Sequence, residues 1–113
     1  MAWPISITRE LVGAAAAWKS GNAGKARVCA RRAVALADEI WLAQRAQTSW
    51  RGDVMAHLRR IQQEISFPSS VRQAAERLTT AVTRQQTAPF TIDPLGDAKI
   101  IIECLVPVGE ITL

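Results

Sequence analysis

The chain has 113 residues, 49% of them hydrophobic, a net charge of +4 and two cysteines. That length bounds a single domain over residues 1–113 and leaves no room for a second core. Cys29 and Cys104 lack the short spacing of a zinc site or a disulfide framework, so both read as buried free thiols, with no metal and no cofactor implied. The N-terminus lacks the basic region and apolar run of a secretory signal, and the apolar stretch from Leu11 to Trp18 is too short to span a bilayer, which makes a cytoplasmic protein the expectation.

In chain order, residues 1–5 read as a lead-in around Pro4, and Ser6 or Thr8 offers a cap. Helix 1 is predicted from about Ile7 to Lys19, with Leu11, Ala14, Ala15 and Trp18 turned inward and Gly21 ending it. Asn22 caps helix 2, which is expected to run to about Ala46. Projected at the helical period, Ala26, Cys29, Ala30, Ala33, Val34, Leu36, Ala37, Ile40 and Trp41 form a core arc. The opposite arc holds Lys25, Arg27, Arg31, Arg32, Asp38, Glu39 and Arg45, with Val28, Ala35 and Leu42 among them. Alanines on that core arc, matched by Ala14 to Ala17 upstream, predict a tight antiparallel pair.

Gln47 to Gly52 breaks the pattern and reads as a loop. Asp53 then caps helix 3, predicted to about Ile65, with Val54, Leu58, Ile61 and Ile65 on one face. Phe67-Pro68 stops it. Ser70 and Gln73 have the form of a capping box, so helix 4 is expected from about Ser70 to Gln85, with Val71, Ala74, Ala75, Leu78, Ala81 and Val82 as its stripe. Thr87 to Ile92 is an extended connector, and Asp93-Pro94 presets helix 5 to about Val106. Residues 98–106 would also suit a strand, being rich in β-branched side chains; the Asp-Pro start favours helix. Three consecutive isoleucines, 100 to 102, cover too wide an arc for one-sided packing, which points to a central helix or a homodimer contact, and the homodimer is the favoured expectation.

Charge is uneven along the chain. Between Lys19 and Arg60 there are nine basic residues against three acidic ones. Lys25, Arg27, Arg31 and Arg32 crowd the first half of helix 2, where unsatisfied N–H groups already carry partial positive charge. Such an arrangement calls for a counter-charge, either Glu10 or Asp53 of the same chain or a bound anion. These four residues are therefore the candidate anion-binding set, for a nucleotide or nucleic acid.

Little else carries chemistry. Gly21-Asn22-Ala23-Gly24-Lys25 is too short for a phosphate loop, lacks the following Ser or Thr, and follows a helix instead of a strand. His57, the only histidine, reads by default as structural or solvated, and the carboxylates are scattered singly. Trp18 and Trp41 fall on core arcs, while Trp3 and Trp50 lie near loops.

The segment from Ala17 to Ala37, the later Pro68-Ser69-Ser70-Val71-Arg72-Gln73-Ala74-Ala75 and Asp93-Pro94-Leu95-Gly96-Asp97-Ala98 together resemble small bacterial HEPN-like proteins, helical bundles that often dimerise. The resemblance implies an all-α bundle of about five helices with an up-down N-terminal pair. Families of that fold include RNA-cleaving toxins with an arginine and a histidine four to six residues apart, a spacing met by Arg51 and His57. The first hairpin also resembles half of a tetratricopeptide repeat, with Gly21, Ala26, Ala30 and Ala33 at its small positions, although no second copy follows. The expectation is thus a non-enzymatic bundle binding a nucleotide, nucleic acid or protein partner through the basic face of helix 2. The alternatives are metal-independent RNA cleavage by Arg51 and His57, and a helix-pair interaction module.

Overall fold

The computed structural model describes residues 3–80 and 90–107, and among them it is all-helical: α1 (Ile5–Lys19), α2 (Ala23–Gln44), α3 (Val54–Gln63), α4 (Ser69–Thr79) and α5 (Pro94–Leu105). The chain turns around α2, its longest helix at 22 residues, which packs against α1 along most of its length and also meets α5 and α3. Ala14 and Ala17 of α1 and Ala26, Ala30, Ala33 and Ala37 of α2 are all buried. Without bulky side chains between them, the two helix backbones come close, as the alanine pattern predicts. α4 lies against α3 and α5, and closes the bundle. No helix among the described residues is long and apolar enough to cross a membrane.

The two long helices end alike. Asn22 N–H donates to Ala17 O and Gly21 N–H to Trp18 O, with Gly21 at φ 85°; Gln47 N–H donates to Leu42 O and Ala46 N–H to Ala43 O, with Ala46 at φ 58°. Both are Schellman caps, in which one residue in the left-handed region lets the chain turn back on the last free carbonyls. The second cap places an alanine where glycine fits better. Asn22, Asp53 and Asp93 each accept a backbone N–H at the start of α2, α3 and α5, as expected.

Several expectations are corrected. α1 starts at Ile5 instead of Ile7, behind Pro4, and neither Ser6 nor Thr8 caps it. α4 begins one residue before the proposed capping box, behind Pro68, with no side-chain cap, and it ends at Thr79. Ala81 and Val82 of its expected stripe lie outside the described residues. α3 ends at Gln63, so Ile65 falls beyond it and is 87% exposed instead of core. Trp18 is 49% exposed and Ala15 is exposed too, because α1 meets α2 along the Ile7, Leu11, Ala14 and Ala17 line. As the Asp-Pro start led one to expect, α5 is helix throughout. It packs centrally on α2 and α4, so Ile101 and Ile102 are covered by their own chain, and Ile100 alone of the three remains exposed.

α2 is also less two-sided than its projection. Ala35 and Leu42, placed among its charges, are buried, and so is Asp38, which no water reaches. A helix with neighbours on three sides buries more than one arc.

Candidate functional site

Asp38 lies in the second half of α2, facing α3. A bare carboxylate there would be very costly, so its partners decide whether the fold tolerates it. Three donors meet it: His57 Nδ1 at 2.7 Å, Arg60 Nε at 2.9 Å, and Arg60 Nη2. His57 and Arg60 stand three apart on α3 and so present to α2 together. Burial alone would lower the Arg60 pKa, but its bonds to Asp38, and then to Glu64, hold it above the ordinary value. Its guanidinium carbon also lies 4.6 Å from the Trp41 ring centroid, and Arg45 lies 3.9 Å from that centroid.

An ionised carboxylate only accepts, so the hydrogen between Asp38 and His57 belongs to Nδ1. In the neutral ring, Nε2 is then left with a lone pair. His57 is 4% exposed, and Nε2 makes no hydrogen bond among the described residues. No fully buried side-chain nitrogen or oxygen is left unpartnered among these residues, so Nε2 must touch accessible space. The ring lines a cleft of about 350 Å³ between the end of α2 and the α2–α3 loop, lined also by Glu39, Gln47, Thr48, Trp50 and Arg51. A second lobe, about 420 Å³, runs on past Glu39, Gly52 and His57 towards α1.

Trp50 packs over the His57 ring with centroids 4.5 Å apart. Gly52 makes room for it, since a Cβ there would sit 2.5 Å from Trp50 Cη2 and 2.8 Å from Ala56 Cβ. Arg51 is exposed at the rim. Its Nη1 donates to the carbonyls of Thr48 and Trp50, which holds the guanidinium over the loop while Nε and Nη2 have no partner among the described residues. Arg51 and His57, paired on sequence spacing, thus line one cleft.

The basic face of α2 is divided. Arg31 Nε donates to Leu78 O at 2.6 Å, where the C-terminal end of α4 carries partial negative charge. Burial there, and then Arg27, pull the Arg31 pKa below its usual value. Arg32 lines the second lobe beside Glu10, Glu39 and Asp53. None of Lys25, Arg27, Arg31 or Arg32 forms an ion pair among the described residues. Lys25 and Arg32 are exposed and Arg27 is half-buried, and among the described residues Lys25 and Arg27 are the members of the set that neither donate from the side chain to a backbone carbonyl nor line the acidic lobe.

The other candidates are quiet. No group of three or more His, Cys, Asp or Glu side chains is placed to hold a metal among the described residues. Cys29 is buried; burial pushes the Cys104 thiol up, with Arg45 opposing, which makes it a poor nucleophile at neutral pH. Trp41 packs in the core as expected, at 5.2 Å from Phe67, and Trp3 Nε1–H donates to Val106 O at 2.8 Å, tying the chain's two described ends together.

Sequence reasoning passed over Asp38 because the residue before Glu39 on a charged arc reads as solvated. The available signal was its spacing from the arc's other buried members, Ala35 and Leu42, at three and four residues. The fold and the site define an all-helical bundle with one histidine-bearing cleft. Comparison with protein-family models, with curated proteins and with solved structures finds no match for this chain.

Proposed function

We propose that this chain is a small helical binding domain for a phosphate-bearing ligand, a nucleotide or an RNA strand, and that the ligand sits in the His57 and Arg51 cleft. The observation that carries the reading is His57: Asp38 orients the ring, which lines the cleft with Nε2 unpartnered among the described residues, and Nε and Nη2 of Arg51 at the rim are likewise unpartnered among them. Arginine forks suit phosphate oxygens, and the Nε2 lone pair, held in one tautomer, accepts from a donor beside the phosphate such as a ribose hydroxyl. Lys25 and Arg27 then act at longer range, drawing a polyanion towards the domain and strengthening binding at low salt.

A second reading, RNA cleavage, is favoured by the same arrangement. Glu39 and His57 line one cleft with Arg51: in this reading the Nε2 lone pair takes the proton of a 2′-hydroxyl as its oxygen attacks the adjacent phosphorus, the imidazolium so formed returns that proton to the departing 5′-oxygen, and Arg51 holds the phosphate. The HEPN-like resemblance pairs Arg51 with His57 in the same role. Dimerisation of such a bundle is part of that resemblance.

Titration with a short single-stranded RNA and with a mononucleotide tests the binding reading. Arg51→Ala and His57→Gln are each expected to weaken binding on the order of tenfold, about 1.4 kcal/mol. Lys25→Ala with Arg27→Ala is expected to flatten the salt dependence. If neither ligand binds at low salt, the reading falls; if the α2 pair matters more than Arg51, the site is misplaced. RNA left intact by the parent protein removes the cleavage reading.

A further inference from the structure

α1 and α5 both pack on α2. At one end Trp3 Nε1–H ties the chain before α1 to Val106 O; at the other, a groove of about 490 Å³ opens between residues 12–19 of α1 and Asp93-Pro94-Leu95 at the start of α5. The groove follows from side-chain size. Ala14 and Ala26, which let α1 and α2 approach, are buried at its floor and carry nothing long enough to fill the space beside them. Val12 and Trp18 stand on the α1 wall, Pro94 and Leu95 on the α5 wall. Val12 is 63% exposed and Trp18 49%, while Ile92, beside the α5 wall in the chain, is 76% exposed. Single apolar side chains at a surface are ordinary, whereas these gather along one groove.

Each wall also carries one charge, Lys19 on the α1 side and Asp93 on the α5 side. Both are exposed, and neither forms an ion pair among the described residues. An occupant must therefore be apolar along the floor and offer an anion to Lys19 and a cation to Asp93. A second copy of this chain meets all three conditions by symmetry. In an isologous contact residue i meets j and j meets i. With the two-fold axis along the groove, the α1 wall of each copy lies over the α5 wall of the other, so Lys19 faces the partner's Asp93 twice and Trp18 packs on the partner's Leu95 and Ile92. An acyl chain or a wholly apolar peptide would leave both charges unanswered. We propose that the α1–α5 groove is the contact of a two-fold homodimer, with Trp18 as its aromatic anchor. The sequence pointed to such a contact at Ile100 to Ile102, but Ile101 and Ile102 are covered by their own chain. The His57 cleft reaches Leu42 and Ala43 near the far end of α2 from Ala26, so it stays open in this dimer, and the inference stands apart from the phosphate reading.

Sedimentation velocity of the full chain, from about 1 μM to about 1 mM, tests this, with far-UV circular dichroism reporting the fold of each variant. The mass is expected to rise from the 12.4 kDa of one chain towards twice that value. Val12→Arg, at an exposed position, should weaken association by at least about tenfold, and Lys19→Glu, which sets two carboxylates face to face, on the order of tenfold. Asp93→Asn keeps a cap acceptor for Gly96 N–H and removes only the charge. Combined with Lys19→Ala it should weaken the dimer no more than either change alone, as a shared ion pair requires. A chain that stays monomeric throughout the range overturns the inference, whatever it binds at the His57 cleft. A dimer indifferent to Val12→Arg and Lys19→Glu forms through another face and overturns it as well.

Discussion

Two aspartates are buried in this bundle, and each is met by an arginine from a neighbouring helix, yet they end differently. Asp97 on α5 receives Arg77 from α4, with Nη2 at 2.7 Å, and the Thr91 hydroxyl, also at 2.7 Å. That cluster meets neither cleft lobe: Thr91 is buried and its N–H pairs with Arg77 O, while the outer edge of Arg77, a third exposed, faces open solvent. Its work is to anchor the chain before α5 to the end of α4. Asp38 receives Arg60 and His57, and through the His57 ring the cluster borders a cleft. A buried carboxylate is thus weak evidence for function when its partners line no cavity. It becomes informative when one partner has a second functional atom at the surface.

The largest expected difference between the clusters is energetic. Asp38→Ala strands a buried histidine and a half-buried guanidinium, and should cost about 3–5 kcal/mol in urea unfolding. Asp97→Ala should cost less, about 1–3 kcal/mol, because Arg77 is a third exposed and its freed guanidinium reaches water. Equal losses would mean that the two clusters differ less than their surroundings indicate.

Gly52→Ala sharpens the contrast from the cleft side. The added methyl displaces Trp50 from His57, with an expected loss of about 1–2 kcal/mol and a change in tryptophan fluorescence. In the other direction, Ala46→Gly relieves the left-handed residue that ends α2 above the same cleft, and should stabilise the domain by about 0.5–1 kcal/mol in thermal unfolding. The smallest effect belongs to the outer edge of the Asp38 cluster. The Ser66 hydroxyl, and after it Arg60, hold the Glu64 carboxyl below its usual pKa. The contribution is therefore present above the ordinary carboxylate value and lost as pH falls through the depressed one. It amounts to a few tenths of a kcal/mol for so accessible a pair, and Ser66→Ala should raise the Glu64 midpoint in an NMR titration.

The parts of this fold legible in the sequence are those with local causes. Asn22, Asp53 and Asp93 cap their helices because an N-cap needs only a short acceptor three residues before a free N–H. Gly21 ends α1 because the left-handed region excludes most side chains. The alanine seam of α1 and α2 follows from period and size. The cleft was half legible: Arg51 and His57 were paired by spacing, but the aspartate that orients the histidine was read as solvent-facing.

What the sequence by itself determined is therefore the five helices, most of their caps and the close α1–α2 pair, since each depends on residues within a few positions of one another. Tertiary structure alone decided that Asp38 is core and Trp18 is surface, that Arg31 answers the carbonyl end of α4, and that His57 keeps one nitrogen for a cleft. Those outcomes depend on which neighbour covers each side of a helix. A helical projection gives the angle of a side chain and says nothing about what stands opposite it.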